Sequence, residues 1–177
     1  DRSGERLAAA GDAGAWVWET ATRRRIATIE GHDAFVSGVA FAPDGSLATA
    51  GFDGTTRLWD ASTGRELAVL RGHSGNVNQV AFSPDGTLVA TTSDDRTTRI
   101  WEWRTEREVL VLHGHDLVVY GVSFSPDGRF LATASADGTV AVHLLRVDEL
   151  VHVARSRVTR GLTADECQQY LHLDACP

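Results

Sequence analysis

Three residues near the middle of the chain are of the types that form a nucleophilic triad: His73, Ser93 and Asp95. In such a triad the histidine takes the serine proton and the carboxylate orients the imidazole ring. The residues around Ser93 form no nucleophile elbow, and no other catalytic landmark or glycine-rich phosphate loop is found in the sequence. A structural role for these side chains is therefore the better interpretation, and we predict no catalytic residues in this chain.

A second group of reactive side chains lies near the end of the chain, at Cys167, His172 and Cys176. They could supply three metal ligands, but a closed zinc site needs four, and the close cysteine pairs typical of such sites are missing. Two buried thiols are the favoured interpretation, and a Cys167–Cys176 disulfide is the alternative, disfavoured in a reducing compartment. We predict neither a metal nor a cofactor.

The landmarks around His73 recur at a fixed interval along the chain. Gly-His pairs begin at residues 31, 72 and 114, and tryptophans stand at positions 18, 59 and 101, so both series repeat every 41 or 42 residues. A period of this length is typical of repeat proteins, in which each repeat is one small unit that must stack on its neighbours.

One repeat contains several short runs of strand-forming residues separated by turns. From Val77 an apolar run leads to Ser-Pro-Asp-Gly at residues 83–86, where proline and glycine favour a tight turn. Residues 87–92, 97–103 and 107–112 are further β-branched or apolar runs. Each repeat is therefore predicted to be a small antiparallel sheet of four strands.

The order Gly-His, Ser-Pro-Asp-Gly, Asp and Trp in these repeats resembles the WD40 family, whose repeats are the blades of a β-propeller. The resemblance covers roughly residues 1–145 and implies a hydrogen-bonded tetrad of His73, Ser93, Asp95 and Trp101 that ties the strands of one blade together. The copy containing His32 has Gly51 at the expected hydroxyl position, and the copy containing His115 has His143 at the tryptophan position. We expect these two blades to be held less tightly.

The repeats predict an all-β fold, a partial WD40 β-propeller of about 3.5 to 4 blades with a short α-helical tail. Residues 1–30 are expected to form an incomplete blade without its first strand, residues 31–145 three WD40 repeats, and residues 146–177 the tail. The last blade lacks an obvious fourth strand. We therefore expect the ring to be completed by N-terminal blades of the same protein or by a second chain, the chain being the C-terminal part of a longer protein.

The predicted tail contains two helical patterns. Apolar residues recur at helical spacing over residues 147–158, and Thr163 and Glu166 are placed as a capping box. Residues 154–177 resemble the tail that follows WD40 repeats in large actinobacterial signalling proteins, which carry a STAND-type NTPase, a caspase-like peptidase or a protein kinase. This resemblance implies a bacterial signalling context.

Composition and charge restrict the classes of partner. The formal net charge is −7, and all 17 basic residues are arginines. They form no basic patch beyond residues 23–25, which argues against nucleic-acid binding. The given sequence shows no signal-peptide pattern at its start and no apolar run near the length that a membrane span needs. A soluble, cytoplasmic protein is expected.

Binding to a protein or peptide is the function that these observations favour. In WD40 proteins partners usually bind the face that carries the Gly-His loops and the turn aspartates, with side chains around the first strand pointing outward. The corresponding residues here are Phe35, Ser37, Phe52, Asn76, Asn78, Asp94, Val118, Tyr120 and Ala136. Exposed aromatic residues beside Asn and Asp are typical of interface hot spots, although Phe35 and Phe52 could instead pack against neighbouring loops.

The sequence thus predicts a non-catalytic interaction scaffold or sensor. The alternative is the propeller part of an enzyme, in which it would contribute to regulation or substrate binding of an attached NTPase, peptidase or kinase. A further possibility is that the tail, and not the propeller face, makes the main contact.

Overall fold

The computed structural model describes residues 1–12 and 14–145 as an all-β structure of four antiparallel sheets. The predicted helical tail, residues 146–177, and with it Cys167, His172 and Cys176, lies outside the described residues.

The first and fourth sheets have three strands each, and the second and third have four, in chain order from one edge to the other. The first sheet contains β1 Arg6–Gly11, β2 Gly14–Glu19 and β3 Arg25–Ile29. The second contains β4 Val36–Phe41, β5 Leu47–Gly51, β6 Thr55–Trp59 and β7 Glu66–Arg71. The third contains β8 Val77–Phe82, β9 Leu88–Ser93, β10 Thr98–Glu102 and β11 Arg107–Leu112. The fourth contains β12 Val119–Phe124, β13 Phe130–Ser135 and β14 Val140–Leu144. Four sheets of three or four strands are consistent with a partial propeller.

Tight turns explain why these strands end where they do. In the third sheet Ser83 accepts a hydrogen bond from the amide of Gly86, whose φ of 74° suits a residue without a Cβ atom. The Asp85 carboxylate accepts bonds from the Thr87 amide and hydroxyl, so the turn also satisfies its own polar groups. The Pro-Asp-Gly segments of the repeats therefore close antiparallel hairpins.

The core lies between the sheets. Buried Leu58 and Leu70 of the second sheet pack with Val89 and Trp101 of the third. Equivalent clusters join the first sheet to the second, through Val17 and Trp59 among others, and the third to the fourth, through Ile100 and Leu131. Adjacent sheets bury apolar side chains against each other, which is the reason that a single repeat cannot be stable alone.

Candidate functional site

A network of hydrogen bonds joins strands and loop in the third sheet. The buried indole Nε1 of Trp101 donates to the Thr91 hydroxyl at 2.9 Å, and His73 Nε2 lies 2.8 Å from the same oxygen. His73 Nδ1 lies 2.8 Å from an oxygen of Asp95. Burial lowers the pKa of His73, against the opposing effect of Asp95, so the ring is neutral near pH 7. A neutral ring that donates from Nδ1 to Asp95 and accepts the Thr91 proton at Nε2 satisfies all three groups.

The predicted tetrad was wrong in one member, because Thr91 and not Ser93 supplies the hydroxyl. Trp101 pairs with Val89 across the hairpin, which places Thr91 diagonally within reach of its indole. Ser93 points to the same side but lies two residues further along the strand, about 7 Å away at the usual rise of a strand. It accepts a hydrogen bond from the Asp95 amide at 3.1 Å instead, and so stabilises the turn.

The second sheet contains the same network in full. His32, Thr49, Asp53 and Trp59 are joined by bonds of 2.7 to 2.9 Å, with the Thr49 hydroxyl between the histidine and the indole. The prediction that Gly51 removes the hydroxyl from this blade was therefore wrong. A Cβ at Gly51 would lie 2.2 Å from the His32 ring, so the glycine makes room for the histidine.

The fourth sheet contains an altered network. His115 contacts Asp137 at 3.1 Å and the Thr133 hydroxyl at 2.8 Å, as in the other two sheets. The place of tryptophan is taken by His143, whose Nε2 lies 3.4 Å from Thr133. Ser135 again accepts from the aspartate amide and is not the hydroxyl of the network. The substitution at residue 143 was predicted correctly, and the network here is looser.

A threonine two residues after each turn aspartate is a structural residue that sequence reasoning missed. The hydroxyl and amide of Thr55 bond to Asp53, and Thr97 and Thr139 repeat both bonds to Asp95 and Asp137. Burial raises the pKa of Asp53, but the bonds from Thr55 and His32 outweigh it and lower the pKa to about 2. The repeated Asp-x-Thr spacing was the signal that could have revealed these residues.

These networks leave no group free to act as a nucleophile. Ser93 is buried and committed to a turn, and the carboxylate of Asp95 is held by the histidine and a threonine. Among the residues that the structure describes, there is no group of three or more histidine, cysteine or acidic side chains that could hold a metal ion. The described part of the chain also lacks a helix long and apolar enough to cross a membrane.

The predicted interaction residues lie at the end of the sheets that carries the histidine loops, which we call the loop face. It comprises residues 30–35, 71–76 and 113–118, the turns at 12, 52–54, 94–96 and 136–138, and residues 37, 78 and 120 near the start of the first strands. The structure joins six of the predicted residues in pairs: the amides of Phe52, Asp94 and Ala136 donate to the carbonyls of Phe35, Asn76 and Val118, respectively, at 2.9 to 3.0 Å. The loop before each first strand is therefore held beside the turn after the second.

Two of the predicted interaction residues connect neighbouring sheets. The Ser37 hydroxyl bonds to the Val77 carbonyl of the third sheet at 2.6 Å. At the equivalent position Asn78 donates to the Val119 carbonyl of the fourth sheet at 3.1 Å and to Asp94 at 2.9 Å. Both polar side chains are half-buried and serve the stacking of the sheets, which the sequence did not predict.

The predicted aromatic residues of the loop face are exposed to solvent. Phe35 and Phe52 are 40% and 39% exposed, although their rings contact each other with centroids 5.3 Å apart. Tyr120 occupies the position equivalent to Ser37 and Asn78 and is 59% exposed. Leu117, which was not predicted, is also exposed, in the loop that precedes β12. The loop face thus presents two small apolar areas.

Comparison with known proteins identifies the repeats. The family model of the WD domain, G-beta repeat (WD40), matches residues 23–60, 64–102 and 106–143, which together form more than half of the chain. A search of curated proteins finds no match. WD40 repeats indicate a domain of the protein–protein interaction scaffold kind, and domains of this family are typically non-catalytic. The three matched repeats and the blade-like sheets show that this chain belongs to the WD40 family.

Proposed function

We propose that this chain is a non-catalytic scaffold that binds a protein or peptide through its loop face. The observation that carries the proposal is the exposed pair of Phe35 and Phe52. Large apolar side chains that remain accessible on an otherwise well-packed domain mark interaction sites, and aromatic residues contribute most to hot spots.

The surroundings of the pair support this proposal. The bond from the Phe52 amide to the Phe35 carbonyl fixes both residues on ordered backbone, so little conformational entropy is lost when a partner binds. Asp53, next to Phe52, is held by His32 and Thr55. The rings are thus presented by a preorganised loop and turn.

The test is the capture of partners from a lysate of the cells that express the protein, with the wild type compared with F35A, F52A and Y120A. We expect the three substitutions to reduce capture of the same partner at least tenfold. The matched control is L67A on β7, which removes a side chain of similar exposure (37%) away from the loop face. Urea unfolding of each variant excludes loss of folding. Equal capture by the wild type and the three variants would contradict the proposal.

We further propose, from the resemblance of residues 154–177, that the chain works as the C-terminal part of a larger cytoplasmic signalling protein in a bacterium. An antibody against residues 1–145 should then detect a band well above 19.1 kDa on a denaturing gel of the source cells. A band at that mass would contradict this proposal and leave the first one unaffected.

The same larger protein offers a way to separate a scaffold from part of an enzyme. If the loop face contributes to substrate binding, F35A should change the turnover of the full-length enzyme. If the chain is a scaffold alone, the substitution should reduce partner capture and leave the turnover of a small substrate unchanged.

A further inference from the structure

The loop face carries most of the net negative charge of this protein. It contains eight carboxylates and two arginines, hence a formal charge of −6, while the whole chain has −7. These residues are Asp12, Glu30, Asp33, Asp53, Asp94, Asp95, Asp116 and Asp137, with Arg71 and Arg96. The charge is therefore concentrated where the exposed aromatic rings lie.

The opposite end of the sheets is nearly neutral. Its turns, at residues 1–5, 20–24, 42–46, 60–65, 83–87, 103–106 and 125–129, contain seven carboxylates and six arginines, hence a formal side-chain charge of −1. Several of these charges are paired, such as Arg104 with Asp44 at 2.6 Å. The acidity of the loop face is thus a local property and not the average of the molecule.

Two loop-face aspartates, Asp53 and Asp95, contact histidines that do not neutralise their charge. Burial keeps the pKa of His32 and His73 below the ordinary value, and hydrogen bonds hold the pKa of Asp53 at about 2. Hydrogen bonds from Thr97 and His73 likewise lower the pKa of Asp95, although burial opposes them. His32 and His73 therefore orient Asp53 and Asp95 without cancelling their charge near pH 7.

We propose that the partner of the loop face is a basic peptide segment that carries an apolar anchor residue. The inference rests on the proposed function and adds the chemistry of the partner. The anchor packs on the Phe35–Phe52 pair, and arginine or lysine side chains on either side face Asp33, Asp94 and Asp116. Charges of this kind at the rim of an apolar patch select the partner and accelerate association more than they tighten binding.

The same charges disfavour other occupants. A nucleic acid would bring its phosphates against a surface of formal charge −6, and a second copy of this chain would bring a net −7. An acidic peptide would be repelled in the same way. A cationic peptide segment with an apolar anchor is the class of partner that is attracted both by the negative charge and by the exposed aromatic rings.

The test uses a phage-displayed library of random 12-residue peptides, selected on the complete chain at low ionic strength. We expect the selected peptides to be enriched in arginine or lysine around an aromatic or branched aliphatic residue. Fluorescence anisotropy then compares one selected peptide on the wild type, on D33N/D116N and on the control E5Q/E106Q. The control removes two exposed negative charges at the opposite end of the sheets.

The expected result is about a fivefold loss of affinity in D33N/D116N, no change in the control, and weaker binding as salt rises because screening reduces contacts between exposed charges. Selected peptides without a basic bias, or an equal loss in both double variants, would overturn the inference. If selected peptides without a basic bias still bind F35A more weakly than the wild type, the proposed basic partner is wrong but the proposed loop-face function stands. If basic peptides bind F35A and F52A as tightly as the wild type, the proposed function fails as well.

Discussion

The hydroxyl of Ser37 in the second sheet donates a hydrogen bond of 2.6 Å to the carbonyl of Val77, the first residue of the third sheet. Asn78 makes the equivalent bond to Val119, the first residue of the fourth sheet. The second residue of a first strand therefore connects its own sheet to the next one. These bonds complement the apolar clusters that hold the stack together.

Substitution S37A tests the contribution of this connection. We expect the free energy of unfolding to fall by about 1 kcal/mol, the usual net value of one hydrogen bond. Urea denaturation measures it. The control is S123A, whose hydroxyl, among the described residues, contacts the carbonyl of the adjacent Phe124 and no other sheet. An equal fall in the free energy of unfolding in both variants would show that the hydrogen bond between the sheets does not contribute to stability beyond a local surface bond.

Substitution T91V tests the central hydroxyl of the network in the third sheet. Valine keeps the shape but leaves the Trp101 indole and His73 Nε2 without their partner, at a cost of about 2 to 4 kcal/mol for two buried groups. The matched control is T92V in the same strand. The buried Thr92 hydroxyl has no hydrogen-bond partner among the described residues, so its removal should be neutral or stabilising in urea unfolding.

Substitution H143W should strengthen the fourth sheet. At Gly31 and Gly72 a Cβ atom would meet the rings of Trp59 and Trp101 at 3.0 and 2.9 Å, whereas at Gly114 it would meet nothing within 4 Å. Within residues 14–145 the space for an indole is therefore open. We expect a gain of about 1 kcal/mol from burial and a bond to Thr133. Thermal unfolding measures it, and an unchanged Tm would contradict the expectation.

The turn at Arg96 predicts opposite effects for two substitutions. Arg96 has a φ of 69°, and Gly54 occupies the equivalent turn position with 77°. The left-handed region is unfavourable for any residue with a Cβ. We therefore expect R96G to be neutral to stabilising by up to about 0.5 kcal/mol, and G54A to destabilise by about 1 kcal/mol. If both substitutions lower the free energy of urea unfolding, backbone strain at positive φ does not decide the stability of these turns.

The networks also predict how stability depends on pH. Burial lowers the pKa of His32, His73 and His143 below 6.5. Because the unfolded chain then binds more protons, stability is lost as the pH falls below about 6.5. Asp53, with a pKa of about 2 against an ordinary 3.8, adds a second loss as the pH falls from about 4 towards 2.

Urea unfolding at pH 7.5, 6.0 and 5.0 tests the histidine part of this prediction. The H143W variant, which lacks one titrating ring, should lose less stability between pH 7.5 and 5.0 than the wild type. A pH dependence that is the same in H143W and wild type would exclude His143 as a contributor.

The sequence alone was sufficient to predict the repeat and its antiparallel sheets, because the residues that specify turns and strands are close together in the chain. Pro-Asp-Gly turns and alternating apolar residues specify where hairpins form, and the interval between tryptophans specifies the length of a repeat. The family assignment, the all-β class and the substitution at His143 followed from these patterns.

Only the tertiary structure decided which hydroxyl completes each network and what the loop residues do. Thr91 and Ser93 point to the same side of one strand, and the register against Trp101 selects the first. Ser37 and Asn78 have the composition of binding residues, but their bonds to Val77 and Val119 depend on how the sheets stack. A one-dimensional pattern records the type and spacing of side chains, whereas hydrogen bonds are decided by distances of a few ångströms between strands and sheets that the chain brings together only on folding.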